Sequence, residues 1–303
     1  MTGEGKITLL DGGMGRLLAR MGAPFRLPEW SALALIEAPD LVARAHDAFI
    51  AAGAEIITTN SYSVLPHQIG EARFTTEGQA LAARAGRIAR EAVARAAHPV
   101  RVAGSIPPLF ESYRPDLFDA ARAPAILETL VTGLAPHIDL WLIETQSSIE
   151  EASAAITAVA PSGLPIWVSF TLRDEAGRRR LAELRSGAAI ETAVAAMRDR
   201  GAEAVLFNCS QPEVMQASVE ATAALRDRPA RLGVYANAFI PEAESDDPYA
   251  GISRLRDDVT PARYLDWVRG WIAAGADIVG GCCGIFPEHI AAIRAATNRT
   301  PGN

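Results

Sequence analysis

Three cysteines occur in this chain of 303 residues, and each sits where an apolar run breaks into a turn: Cys209 in LFNCS, and the adjacent Cys282 and Cys283 in IVGGCCG. Three thiolates make a tetrahedral metal site with one position open to an outside ligand, and zinc is the ion such a set favours. A lone buried cysteine is usually a small apolar residue, but a Gly-Gly-Cys-Cys-Gly run is hard to explain as packing. Inert thiols and a redox pair are the alternatives; adjacent cysteines form only a strained disulfide. Zinc on three thiolates carries a net negative charge and is a poor Lewis acid for water. It still lowers the pKa of a substrate thiol and delivers it as a nucleophile. The spacing therefore favours alkylation of a thiol over hydrolysis.

Such a centre needs elements that bring distant residues together. Short apolar runs at 7–11, 55–60, 100–105, 139–144, 165–171, 204–209, 231–237 and 276–282 read as eight strands. Ala-rich segments with apolar residues three and four apart lie between them, at 38–54, 78–97, 148–160, 188–202, 211–226 and 260–276. Three of these end in Gly-Ala, at Gly53, Gly201 and Gly275, as a left-handed helix C-cap before a tight turn requires. Strands apolar on both faces are those of a buried parallel sheet. The expected fold is a single (β/α)8 TIM barrel over residues 1–303, with a doubly wound open sheet as the alternative. In either, ligands gather at the C-terminal strand ends, where Asp11, Asn60, Ser105, Glu144, Thr171, Cys209, Asn237 and Cys282 fall. Side chains alternate along a strand, so the adjacent cysteines must lie where strand eight turns into its loop, with Gly280, Gly281 and Gly284 supplying the freedom. Residues 239–260, with the acidic cluster Glu242, Glu244, Asp246 and Asp247, read as a lid loop.

A formal net charge of −7 argues against nucleic acid or an anionic membrane as partner, and the one basic run, Arg178 to Arg180, is short. No apolar stretch approaches the roughly 20 residues of a membrane span, and residues 1–6 are too polar to begin a signal peptide. Three cysteines without an export signal point to the cytoplasm, where thiols stay reduced.

DGGMGRLL at 11–18, TTNSY at 58–62, GSIPPL at 104–109, LIET at 142–145, NCS at 208–210 and GGCCG at 280–284 resemble the homocysteine S-methyltransferase family, in order and over essentially the whole chain. The resemblance implies a (β/α)8 barrel with zinc on Cys209, Cys282 and Cys283, and small-molecule substrates: homocysteine and a methyl donor. It implies that Asp11 and Glu144 hold the homocysteine ammonium. The amides of Gly12 and Gly13 are candidates for its carboxylate, and Asn208 for orienting a ligand or donating to a sulfur. Trp30 and Tyr62 match positions of the cation cage in the betaine-using branch. Thr145 stands where that branch has a tyrosine, so a sulfonium, S-methylmethionine, is the expected donor. The chain is expected to lack the folate, cobalamin and reactivation domains of the modular members. PPLFESYRPD at 107–116 resembles stand-alone bacterial members, with Glu111 replacing a small residue. The other readings are the same zinc-thiolate chemistry with betaine, another donor, or another thiol or selenol acceptor, and a non-catalytic zinc-dependent thiol-binding sensor.

Overall fold

A computed structural model of the chain describes residues 6–174, 182–240 and 254–297. All eight expected strands are present: β1 Thr8–Leu9, β2 Ile56–Thr58, β3 Arg101–Ile106, β4 Leu140–Gln146, β5 Ile166–Phe170, β6 Ala204–Asn208, β7 Arg231–Tyr235 and β8 Ile278–Val279. They pair in parallel in the order β1-β8-β7-β6-β5-β4-β3-β2. A parallel bridge between Leu10 and Ile56 brings β1 to β2, so the sheet closes into a barrel. Alternate residues explain the doubly apolar runs. Leu10, Ile56, Leu142, Trp167, Leu206 and Ile278 fill the interior, while Ile57, Ile143, Val168, Phe207 and Val279 pack against the surrounding helices.

The helices follow the strands as the periodicity predicts, among them Pro39–Ala51, Ile149–Val159, Ile190–Asp199, Pro212–Ala223 and Pro261–Ala273. Gly53, Gly201 and Gly275 take φ of 103°, 83° and 115°. The next amide folds back in each case, from Ala54 to the Phe49 carbonyl, Ala202 to Met197 and Ala276 to Trp271, which satisfies carbonyls the helix end leaves open. Regular pairing in β1 and β8 covers two residues each, fewer than the apolar runs suggest, because both chains turn early to build the barrel mouth. The loop at 239–260 has a paired base: Phe239 bridges Leu255, and Ile240 and Arg256 donate to the carbonyls of Arg254 and Ala238, each at 2.8 Å. Its acidic residues Glu242, Glu244, Asp246 and Asp247, and the basic run Arg178 to Arg180, lie outside the described residues. No helix among the described residues is long and apolar enough to cross a membrane.

One core residue makes folding sensitive to acid. His46, on the helix Pro39–Ala51, is fully buried, and neither ring nitrogen has a hydrogen-bond partner among the described residues. Burial, helped by the charge of Arg95, lowers its pKa from 6.5 to about 3. The unfolded chain therefore takes up a proton below pH 6.5 that the folded chain refuses, so stability falls as the pH drops from 6.5 toward 3. The loss is about 2 kcal/mol by pH 5. Denaturant titrations at pH 7 and pH 5 measure it, and His46→Leu should remove this part of the slope. An unchanged slope in that variant would assign the acid sensitivity to other groups.

Candidate active site

The strand period lifts the apolar interior into a polar layer at the mouth. One period beyond Ile56, Ala103, Leu142, Trp167 and Leu206 stand Thr58, Ser105, Glu144, Ser169 and Asn208. These side chains meet buried partners. Thr58 donates to Asp11 through its backbone N–H at 2.7 Å and its hydroxyl at 3.0 Å, and Ser105 donates its hydroxyl to Glu144. Burial raises the Asp11 pKa to about 7, with both Thr58 bonds opposing it. Burial raises Glu144 to about 8, the Ser105 hydroxyl lowering it and the charge of Asp11 adding to the rise. Two acids so placed would ionise together most easily beside a positive charge.

The three cysteines converge beside this pair. Their sulfurs lie within 4.8 Å of one another, with Cys282 Sγ 3.1 Å from Cys209 Sγ. Three sulfurs at ~2.3 Å from one tetrahedral ion stand about 3.8 Å apart, so the set fits a thiolate-bound metal with small adjustments. Cys282 and Cys283 lie in the turn beyond β8. The backbone fixes that turn: Cys282 N–H donates to the Ala236 carbonyl at 2.9 Å, and the Cys283 carbonyl accepts from Ala238 N–H at 2.8 Å. Gly284 takes φ of 82° there. Gly280 and Gly281 do not take a left-handed backbone; they are needed for room, since a Cβ would run into Leu10 and Ile285 respectively. Thiol hydrogens of Cys282 and Cys283 hold Cys209 well below the ordinary thiol range, aided by hydroxyl and amide donors from Tyr113 and Asn237. Of the three sulfurs, that of Cys209 gives up its proton most readily.

Several candidates sit differently from the sequence reading. Asn208 does not serve the sulfurs. Its oxygen accepts from Thr145 N–H at 3.0 Å and the Ser169 hydroxyl at 2.8 Å, and its nitrogen donates to the Thr145 hydroxyl at 2.8 Å. It is a fully buried strut that holds Thr145 at φ 60°, a left-handed backbone costing about 1–3 kcal/mol without such support. Gly13 gives its amide to the Ile285 carbonyl at 2.9 Å, so that amide is not presented to a carboxylate. Its lack of a side chain matters instead, because a Cβ would stand 2.6 Å from the Cys282 carbonyl. Gly12 packs against Phe49 and the Ile285 carbonyl in the same way. Tyr62 lies close enough to Cys209 and Glu144 to feel both charges, and its hydroxyl is 2.8 Å from Ser112 Oγ. Trp30 makes an edge-on ring contact with Phe25 at 5.6 Å, and the carbonyl of its neighbour Ser31 accepts from Asn60 at 3.1 Å.

Residues outside the sequence reading complete the site. Tyr113, in the loop after β3, donates to Cys209 Sγ at 3.0 Å. Arg16, on the helix Met14–Arg20, is half-buried, places its guanidinium 5.3 Å from the Phe239 ring centroid and interacts electrostatically with Cys283. A lone aromatic in a polar loop and an arginine on the first helix carry no periodic signal; only the PPLFESYRPD stretch marked that loop.

A closed parallel barrel with two acids and three thiols at its C-terminal mouth defines a class, that of (β/α)8 barrels with their reactive groups at the strand ends. A model of the homocysteine S-methyltransferase family matches residues 8–297. The homocysteine S-methyltransferase of Escherichia coli K12 is 31% identical, over 95% of this chain and 94% of its own length. The selenocysteine methyltransferase of Astragalus bisulcatus is 29% identical, over 95% and 92% respectively. The crystal structure of the homocysteine methyltransferase MmuM from E. coli, in its metallated form, superposes with a TM-score of 0.77 at 27% identity, covering 96% of both chains. The chain belongs to the homocysteine S-methyltransferase family.

Proposed function

We propose that the protein is a zinc-dependent homocysteine S-methyltransferase whose preferred donor is S-methylmethionine. The observation that carries this reading is the juxtaposition of three sulfurs within 4.8 Å with the buried Asp11 and Glu144. Cys209, Cys282 and Cys283 would hold the ion, an assignment supported by the all-thiol donor set and by the metallated form of the E. coli relative. When bound, zinc lowers the pKa of the acceptor thiol. Asp11 and Glu144 hold the amino acid by its ammonium and so fix the direction in which its sulfur points. The acceptor thiol gives its proton to water, its sulfur takes the methyl group in line as the methyl–sulfur bond of the donor breaks, and the sulfonium leaves as a neutral thioether. The same thiols remain free to bind metal in a reducing compartment such as the cytoplasm.

The surroundings of Thr145 support a sulfonium donor. Thr145 is buried and bound on both sides by Asn208, so no aromatic ring stands there, and an aromatic cage for a quaternary ammonium lacks that wall. A sulfonium amino acid adds contacts through its own ammonium and carboxylate. Steady-state methionine formation with S-methylmethionine should exceed that with betaine by about ten-fold or more. S-adenosylmethionine completes the donor panel, and selenocysteine belongs in the acceptor panel because relatives of both acceptor types match the chain. Faster methylation from betaine than from either sulfonium overturns the donor assignment, and absence of methylation with every pair overturns the activity.

A further inference from the structure

Tyr113 is held over one cysteine by a set of contacts that packing alone does not call for. Its backbone takes φ of 68°, a left-handed conformation that a bulky residue adopts only under constraint. The constraint comes from both sides. Ser112, the preceding residue, lies 2.8 Å from the Tyr62 hydroxyl. The Arg185 guanidinium covers the Tyr113 ring at 4.3 Å from its centroid. Arg185 is itself fixed, to Asp174 at 2.8 Å and to the Thr171 hydroxyl at 3.2 Å, and the second oxygen of Asp174 accepts from Gln211 N–H at 3.0 Å. Segments following β3, β5 and β6 thus combine to aim one phenol hydroxyl at Cys209 Sγ, 3.0 Å away.

We propose that Tyr113 is a positioning residue of the thiol-activating centre, clamped by Arg185 so that its hydroxyl donates to the Cys209 thiolate. This rests on the reading of the three cysteines as metal ligands. A thiolate that accepts a hydrogen bond donates less charge to its metal, which leaves the metal a stronger acceptor for the substrate thiol. A guanidinium on the ring face draws electron density from the phenol and strengthens its O–H as a donor. Asp174 and Thr171 keep the guanidinium in place, so the effect on the sulfur depends on a side chain that does not touch it.

Cobalt(II) reports on this contact, because its thiolate charge-transfer absorption follows the electron-richness of the sulfurs. The protein loaded with cobalt(II) alone is compared with its Tyr113→Phe variant, which keeps the ring and loses one donor. The expected result is one cobalt per chain in both, a charge-transfer band moved to lower energy in the variant, and turnover lowered by about ten-fold to a hundred-fold. Arg185→Gln should move the band in the same direction by less, and serves as the test if Tyr113→Phe does not fold. An unmoved band in a cobalt-loaded variant overturns the role of Tyr113. Failure of the unaltered protein to bind cobalt overturns the metal reading and this inference with it.

Discussion

The Cys282→Ala, Cys283→Ala double variant is expected to lose its zinc and its turnover while keeping the barrel. The separation follows from where the sulfurs sit. Their side chains meet at the mouth, whereas the turn that carries them is tied down by main-chain bonds to Ala236 and Ala238 that alanine preserves. The interior below them is closed by apolar residues such as Leu142, Trp167 and Leu206. Losing only an outer partner of a metal ligand costs about ten-fold to a hundred-fold, so losing two ligands should reduce turnover by more than about a hundred-fold. Metal analysis of the purified variant, with circular dichroism and a thermal melt, checks both halves. Stoichiometric zinc in the double variant would falsify the ligand assignment, and collapse of the melt would make the ion structural.

The barrel was legible because its closure imposes a pattern: strands covered on both faces become uniformly apolar, and helices returning to the sheet end in glycine. The cysteine turn was legible for a related reason, since two adjacent thiols cannot share one face of a strand. Side-chain partnerships across the mouth were less accessible. Asn208 adjoins a cysteine in the sequence and Asn237 does not, yet it is Asn237 that donates to a sulfur, while Asn208 bonds to Thr145 and Ser169. What separates them is the neighbouring strand, which a linear reading does not contain. Tyr113 was hidden more deeply. Its reach depends on a left-handed backbone and on Arg185 from a segment 72 positions further along the chain, and neither leaves a local trace.

Homocysteine affinity should rise as the pH increases from 6 to 8, and the acids at the mouth give the reason. With pKa values near 7 and 8, Asp11 and Glu144 are largely protonated at pH 6, and an ammonium can pair with them only as they ionise. Glu144→Gln removes one charge-assisted bond, worth about 1.5–3 kcal/mol, and so should raise the apparent KM for homocysteine by about ten-fold to a hundred-fold. The upper part of the pH dependence should vanish with it. Asp11→Asn should behave differently in one respect. The charge of Asp11 helps hold Glu144 up, so its removal lets Glu144 ionise at lower pH, and the remaining transition moves toward acid. Donor affinity should change much less in both variants, because the role proposed for the two acids is toward the ammonium of the acceptor. Initial rates with homocysteine varied at saturating donor, measured at several pH values, distinguish these outcomes. An equal loss of donor and acceptor affinity, or an unaltered pH profile in Glu144→Gln, places the ammonium elsewhere.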